Sequence, residues 1–245
     1  MTSIKLFFYK VGLKFFSRFI KDPYLFTKIL RLEGFDIGDN TIFYDPYSIV
    51  FDRQRPWMLK IGKYCKITHG VVILTHDYSR SVLRRVYHEI LGEAKLTVIG
   101  DNVFIGINSI ILMGSHIGNN VIVGAGSVVT GRIPNNVIIA GNPAKVVMSL
   151  DEYYEKRKSQ NLHDAEVWFD SYKNKYGVFP PESQSGPFFP LFTNRDLFDY
   201  KNDCRLFCNG DDMNEVIFDF KNSEAMFNSY ESFIEYLNQR HFKRD

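Results

Sequence analysis

Residues 99–134 read IGDNVFIGINSIILMGSHIGNNVIVGAGSVVTGRIP, and a six-residue period runs through them. Ile99, Ile105, Ile111, Ile117, Val123 and Val129 stand six apart, and Gly100, Gly106, Gly118 and Gly124 follow four of them. Four places after each comes Val103, Ser109, Ser115, Val121, Ser127 or Ile133, all small or β-branched. Neither the 3.6-residue turn of a helix nor the two-residue alternation of a strand produces period six. A solenoid does: each hexad is one short strand plus a turn, and the aliphatics stack inward along the axis.

Upstream, Ile37-Gly38-Asp39-Asn40-Thr41 is a good hexad, and Phe43 and Ile49 keep its phase. Arg55-Pro56-Trp57 departs from it, and Ile61-Gly62-Lys63-Tyr64-Cys65 restores it, with Ile67 and Ile73 on schedule. Ile37 and Ile61 lie four hexads apart, so the early coils share one frame. Ile73 and Ile99 are separated by twenty-six positions, which six does not divide. A loop from Asp77 to Lys95 is therefore extruded directly after His76. Its Arg80, Arg84, Arg85, His88, Glu89 and Glu93 are too polar for a solenoid wall, and loops on rigid scaffolds often carry function.

The chain of 245 residues reads as one domain with appendages: a helical cap at 1–33, the solenoid at 34–148 and an extension at 149–245. Ser3 to Ile20 is an amphipathic helix, with Phe7, Phe8, Phe15 and Phe19 on one face and lysines on the rest. It is expected either to cap the solenoid or to touch an anionic membrane surface. Asp22-Pro23 forms an N-cap and first-turn proline for a second helix toward Leu32. Ser149 and Glu152 form a capping box that opens a charged helix to Tyr176, with Gly177 at C′. After a proline-rich link, Phe179 to Pro190, Glu215–Phe220 reads as a strand and Ser223–Phe242 as a helix. So small a pair is expected to pack on the solenoid or on a neighbouring subunit rather than fold alone.

A net charge of +2 argues against wholesale nucleic-acid binding. Cys65, Cys204 and Cys208 are odd in number and show no CxxC spacing. Cys65 falls at an inward place as a small core residue, and a reducing, cytoplasmic setting is expected. No stretch approaches the ~20 apolar residues of a membrane span, and no cleavable signal sequence is evident.

Ile99-Gly-Asp-Asn-Val-Phe-Ile-Gly106, Ile117-Gly-Asn-Asn-Val-Ile-Val-Gly-Ala-Gly-Ser-Val-Val-Thr130 and Ile138-Ile-Ala-Gly-Asn-Pro-Ala-Lys145 resemble the hexapeptide-repeat acyltransferases. The likeness is greatest to the galactoside, maltose and sugar O-acetyltransferase branch, which includes enzymes of surface-polysaccharide synthesis. It covers about Ile37 to Val147. The resemblance implies an all-β core, a left-handed parallel β-helix with flanking α-helices, assembled as a homotrimer with active sites between subunits. It implies acetyl-CoA as donor, no metal, and direct transfer to a hydroxyl of a sugar or glycan. An amino-sugar nitrogen, a serine hydroxyl and an antibiotic hydroxyl are the alternative acceptors, and the basic N-terminal helix suggests a lipid-linked glycan at a membrane's cytoplasmic face.

Acyl transfer from a thioester needs a base for the hydroxyl proton and a donor for the oxyanion. Related sugar acetyltransferases place their catalytic histidine in the context of Ile73-Leu74-Thr75-His76-Asp77, which makes His76 the candidate base. Asp77, Glu89, Glu93, Asp45 and a backbone carbonyl are candidates to orient it. Asp45, Asp77, Arg84 and His88 are candidate acceptor contacts. His69 stays open between a structural and a substrate-facing role, His116 reads as a turn residue, and His163 and His241 as solvated. By position in the motif, Phe104, Gly106, Gly124, Ala125, Thr130, Gly131 and Lys145 resemble coenzyme-contacting residues, although glycine at hexad turns is also plain fold chemistry. Gly131 stands where relatives often carry a basic residue.

Two other classes share the pattern. A gamma-type carbonic anhydrase needs three converging histidines, two of them close on one coil, and Ser115–Asn120 offers none beyond His116. A non-catalytic scaffold would have no reason to keep both His76 and the coenzyme-side motif.

Overall fold

The computed structural model describes residues 22–196, 198 and 210–241. The expected helix at Ser3–Ile20, Cys204, Cys208 and the side chain of His241 lie outside the described residues. The chain divides into two compact units, Met1–Tyr153 and Tyr154–Asp245.

The first unit is a three-sided parallel β-helix. Helix α1 (Pro23–Glu33) precedes strands β1 (Asp36–Ile37), β2 (Ile42–Phe43), β3 (Val50–Phe51), β4 (Leu59–Ile61), β5 (Lys66–Ile67) and β6 (Val72–Ile73). Helix α2 (Arg80–Tyr87) interrupts them. Then come β7 (Thr97–Ile99), β8 (Val103–Ile105), β9 (Ile110–Ile111), β10 (His116–Ile117), β11 (Val121–Val123), β12 (Val128–Val129), β13 (Arg132–Ile133), β14 (Val137–Gly141) and β15 (Ala144–Ser149). Every third strand stacks on its predecessor. Sheet A runs β1-β4-β7-β10-β13, sheet B β15-β14-β11-β8-β5-β2 and sheet C β12-β9-β6-β3.

The period of six places each axial aliphatic on the next face. Ile99 and Ile117 line sheet A, Ile105 and Val123 sheet B, and Ile111 and Val129 sheet C, and all six are buried. The second inward places, Val103, Ser109, Ser115, Val121 and Ser127, are buried too. Each of these three serine hydroxyls donates to a carbonyl, as Ser115 Oγ does to Leu112 O at 2.6 Å, which meets the need of a buried polar group for a partner. Cys65 is an inward core residue, its thiol 3.1 Å from the carbonyl of Gly100.

The coils are less uniform than the frame of six suggests. Ile99 stacks under Ile117, eighteen residues on, but Ile37 stacks under Ile61, twenty-four residues on. Those four hexads are a single coil with two lengthened turns. Phe51, not Ile49, is the axial residue that stacks on Ile73, and residues 52–58 form a wide corner with a 3-10 turn at Pro56–Met58. At the far end Ile133 stacks on Ile117 after only sixteen residues, because Thr130-Gly131 makes the shortest corner.

The first coil is plugged, and at the other end the edge of sheet B is covered. Asp22 caps α1 by accepting from the N–H groups of Tyr24 and Leu25, each at 2.8 Å, with Pro23 in the first turn. Phe26 of α1 meets Phe43 edge-on at 5.5 Å, and Phe35 meets Phe51 at 5.1 Å, so aromatics plug the first coil. Arg31 donates to the carbonyls of Ile37 (2.9 Å) and Gly38 (2.6 Å), acceptors that the open sheet edge leaves unpaired. At the other end β14 turns through Asn142-Pro143 into β15, which pairs antiparallel and covers the edge of sheet B.

The capping box forms as read: Ser149 N–H donates to Glu152 Oε2 at 2.7 Å, and Glu152 N–H to Ser149 Oγ at 3.1 Å. It opens helix α3 (Leu150–Tyr176), which Gly177 ends at φ +79°. In the second unit the expected strand Glu215–Phe220 is instead part of helix α4 (Met213–Asn222), capped by Asp212. The last helix among the described residues, α5 (Tyr230–His241), begins later than Ser223. The tail does not lack a core. Phe169, Phe189, Phe192, Phe220 and Phe233 are buried together, with Phe169 against Phe233 at 4.9 Å and Phe192 stacked on Phe233 at 5.1 Å. Among the described residues no helix is long and apolar enough to cross a membrane.

Candidate active site

The loop leaves the corner between sheets C and A just after β6. Its neck is pinned where the N–H of Lys95 donates to the carbonyl of Thr75 (2.9 Å) and the hydroxyl of Thr97 to that of Leu74 (2.7 Å). His76 stands at this neck, half-buried, with Nδ1 2.9 Å from Oδ2 of Asp52. The contact is an ion-pair distance lying off the N–H axis, so no acceptor is aligned with Nδ1 among the described residues. The crowding of Asp52 explains this. Its Oδ2 already accepts from Arg55 Nη1 at 2.9 Å and Thr75 Oγ1 at 3.0 Å, and its Oδ1 from the N–H of Gln54 at 2.8 Å.

Burial alone raises the pKa of Asp52, because it penalises the charged form. The hydrogen bonds from Arg55, Gln54 and Thr75, with the His76 ring beside them, outweigh burial and hold the carboxyl below its usual 3.8. Asp52 is thus a nearly buried carboxylate facing the δ nitrogen of a histidine whose ε nitrogen is left for a ligand.

Asp52 was not among the residues expected to orient His76, and none of the expected ones does so. Asp77 turns its carboxylate to Ser79, accepting from the N–H at 2.9 Å and the hydroxyl at 2.7 Å, and the hydroxyl bond is the main reason its pKa is lowered. Asp45 pairs instead with His69, 2.6 Å from Nδ1, and that bond lowers its pKa. Glu93 pairs with Lys95. A partial clue existed: Asp45 precedes His69 by twenty-four positions, as Ile37 precedes Ile61, but between β3 and β6 the coil is twenty-two residues, Phe51 on Ile73, so His76 lies two places past the residue level with Asp52.

Helix α2 projects beyond the neck with every residue unburied. Arg84 lies on it, and His88 ends it at φ +59°, its N–H donating to the carbonyl of Arg84. Tyr78, unremarked in the sequence, packs its ring edge-on to His76 at 5.6 Å. His116 sits in β10, not in a turn, beside Arg132 on the outer face of sheet A.

The residues resembling coenzyme contacts fall at different corners. Thr130 and Gly131 occupy the corner between sheets C and A, the corner of His76, two coils farther along. Gly106, Gly124 and Ala125 occupy the corner between sheets B and C, with His69 and Asp45. Phe104 points outward from β8, 41% exposed, and Lys145 lies exposed on β15. Two of the glycines serve stacking. A Cβ on Gly106 would come within 2.6 Å of the Ala125 nitrogen, and one on Gly124 within 3.0 Å of the Ala140 Cβ. Around Gly131 the space is open.

Residues 96–131 match the family model described as bacterial transferase hexapeptide (six repeats). The chain is 45% identical to the protein CapG of Staphylococcus aureus over 143 residues, 58% of this chain and 81% of that protein. It is 29% identical to the putative acetyltransferase YvoF of Bacillus subtilis strain 168 over 136 residues, 55% of this chain and 70% of the other. A shorter match, 53% over 55 residues, is to WbbJ of Escherichia coli K12, a putative lipopolysaccharide biosynthesis O-acetyl transferase, covering 22% of this chain and 28% of that one. With the three-sided coil and its repeat, these likenesses establish that the chain belongs to the hexapeptide-repeat acyltransferases, the family of the left-handed parallel β-helix.

Proposed function

We propose that the chain is an acetyl-CoA-dependent O-acetyltransferase acting on a sugar or glycan hydroxyl, with His76 as general base. The observation that carries this reading is the pairing of His76 with the ionised, nearly buried Asp52 at the neck of the loop. The carboxylate favours a proton on Nδ1 and stabilises the imidazolium as it forms, so Nε2 is the nitrogen that meets the acceptor.

The steps balance without a covalent enzyme intermediate. The acceptor oxygen attacks the thioester carbonyl carbon while Nε2 takes its proton. The tetrahedral intermediate then collapses, the carbon–sulfur bond breaks, and the departing sulfur takes the proton from the imidazolium. An acetyl ester and free coenzyme A thiol result. Transfer of an acetyl group is supported by the name of YvoF, and a glycan hydroxyl as acceptor by that of WbbJ over its short match. Ala125 and Thr130 are exposed at their corners, and Lys145 is an exposed cation suited to a coenzyme phosphate. Because the donor-side residues lie on two corners of the prism, we read each site as shared between two copies in a homotrimer.

The test is thiol release from acetyl-CoA with a panel of neutral, amino and acidic sugars. His76→Ala is expected to lose at least about a hundredfold in rate on whichever acceptor works best. Equal release by wild type and variant on every working acceptor would remove His76 from the reaction.

A further inference from the structure

The extruded loop holds a cavity that the acyl-transfer chemistry leaves unused. Tyr78, Arg80, Ser81, Arg84, Ile90 and Leu91 enclose about 190 Å³. Its cationic wall is uncompensated: Asp77 is taken up by Ser79 and Glu93 by Lys95, and among the described residues no carboxylate pairs with Arg80 or Arg84. The wall is also joined to the base. The Arg80 guanidinium lies 5.5 Å over the Tyr78 ring, and that ring meets His76 edge-on at 5.6 Å. Ile90 and Leu91, which also line the cavity, are large apolar side chains left exposed.

Unpaired guanidinium groups beside a hydroxyl and an apolar wall select a ligand that carries an anion on an otherwise weakly polar body. We propose that this cavity holds an anionic group of the acceptor, a carboxylate or a phosphate on the sugar, while a hydroxyl of the same acceptor is presented to His76. The inference rests on His76 being the base for a sugar acceptor. A neutral sugar leaves the arginines solvated at no cost, so the expected discrimination is moderate, about tenfold to a hundredfold.

The experiment compares galactose, galacturonic acid and galactose 1-phosphate as acceptors for the full chain at saturating acetyl-CoA. At least one charged sugar is expected to exceed galactose in kcat/KM by about tenfold or more, and which one does so separates carboxylate from phosphate. Substituting Arg80→Ala with Arg84→Ala is expected to lower that charged-to-neutral ratio about tenfold. Arg85→Ala, on the same helix but outside the cavity, is expected to preserve it. Since α2 buries none of its residues, the substitutions spare the fold, which a thermal melt verifies. A wild-type ratio near one, or a ratio indifferent to the double substitution, overturns the proposal while leaving sugar acetylation intact. If no sugar supports thiol release, the acetyltransferase reading fails separately. Titration calorimetry with the same three sugars then decides the charge preference: tighter binding of a charged sugar, lost in the double variant, supports the cavity's role, and equal binding overturns it.

Discussion

The reactive constellation rests on one carboxylate with more partners than it can serve. Asp52 Oδ2 receives Arg55 and Thr75 and still stands 2.9 Å from His76 Nδ1. A base held this way keeps its orientation while retaining latitude to align when an acceptor arrives, as catalytic hydrogen bonds often tighten only in the complex. Asp52→Asn keeps the shape and removes the charge, and is expected to lower kcat about tenfold, less than the loss of the base itself would. The same substitution has a signature in stability that a merely steric role would not produce. The Asp52 pKa is depressed in the folded chain, so its carboxylate contributes fully above the unfolded value of about 4 and progressively less as pH falls through the lower folded value. The gap in urea unfolding free energy between wild type and Asp52→Asn is therefore expected to be widest near pH 7 and to close below about pH 4. A gap that stays constant from pH 7 to pH 3 would contradict the assignment. Asp52 was hidden in the sequence because side-chain partners in a solenoid lie about one coil apart, and the early coil is twenty-two to twenty-four residues long, depending on the face, rather than eighteen.

At the scale of strands and corners, the corner between sheets A and B repeats one device. Asn102, Asn120 and Asn136 adopt φ of +54°, +56° and +58°, and their amides form a ladder, Asn102 Nδ2 donating to Asn120 Oδ1 at 2.9 Å and Asn120 Nδ2 to Asn136 Oδ1 at 2.8 Å. Asparagine tolerates this left-handed backbone better than most residues, and its side chain satisfies a neighbour in the next coil. Asn120→Ala loses both ladder bonds and strains the backbone, and is expected to cost about 1–3 kcal/mol, whereas Asn120→Gly loses only the two ladder bonds and costs less. Urea unfolding of the two variants measures this, and an alanine variant more stable than the glycine variant would refute it. Such corners are the most legible part of the chain, because a Gly-Asx-Asn group before a β-branched residue has one structural use at period six. Gly106 shows where legibility stops. Its lack of a Cβ suits a coenzyme groove as well as a tight corner, and the 2.6 Å approach of the Ala125 nitrogen shows that stacking already demands it. In the tail, Val216-Ile217-Phe218 is a β-prone run and reads as a strand. The chain resolves it as a helix because Asp212 caps the first turn and Val216, Ile217 and Phe220 share one helical face.

For the whole molecule, the proposed homotrimer makes predictions from the distribution of candidate residues around the prism. His76, Asp52, Thr130 and Gly131 stand at the corner between sheets C and A, and Gly106, Gly124 and Ala125 at that between B and C. A strand face separates these corners within one chain, and on the proposed reading one ligand touches both because the corners come from different copies. A cyclic trimer supplies that by facing one copy's first corner to its neighbour's second, and it predicts a solution mass three times the 28.5 kDa of one chain. Light scattering measures that mass, but the sharper test is functional. His76→Ala spoils one corner, and Ala125→Trp, which puts a bulky ring at an exposed small position, spoils the other. Each homotrimer is expected to be inactive. When equal amounts of the two chains are co-expressed and assemble at random, about one site in four joins an intact His76 to an intact Ala125, so about a quarter of wild-type thiol release returns. If every site were built within one chain, each variant would spoil its own sites only, and mixing would restore nothing. The regained fraction therefore reports whether the scaffold that the six-residue period builds is by itself a catalyst or one third of one.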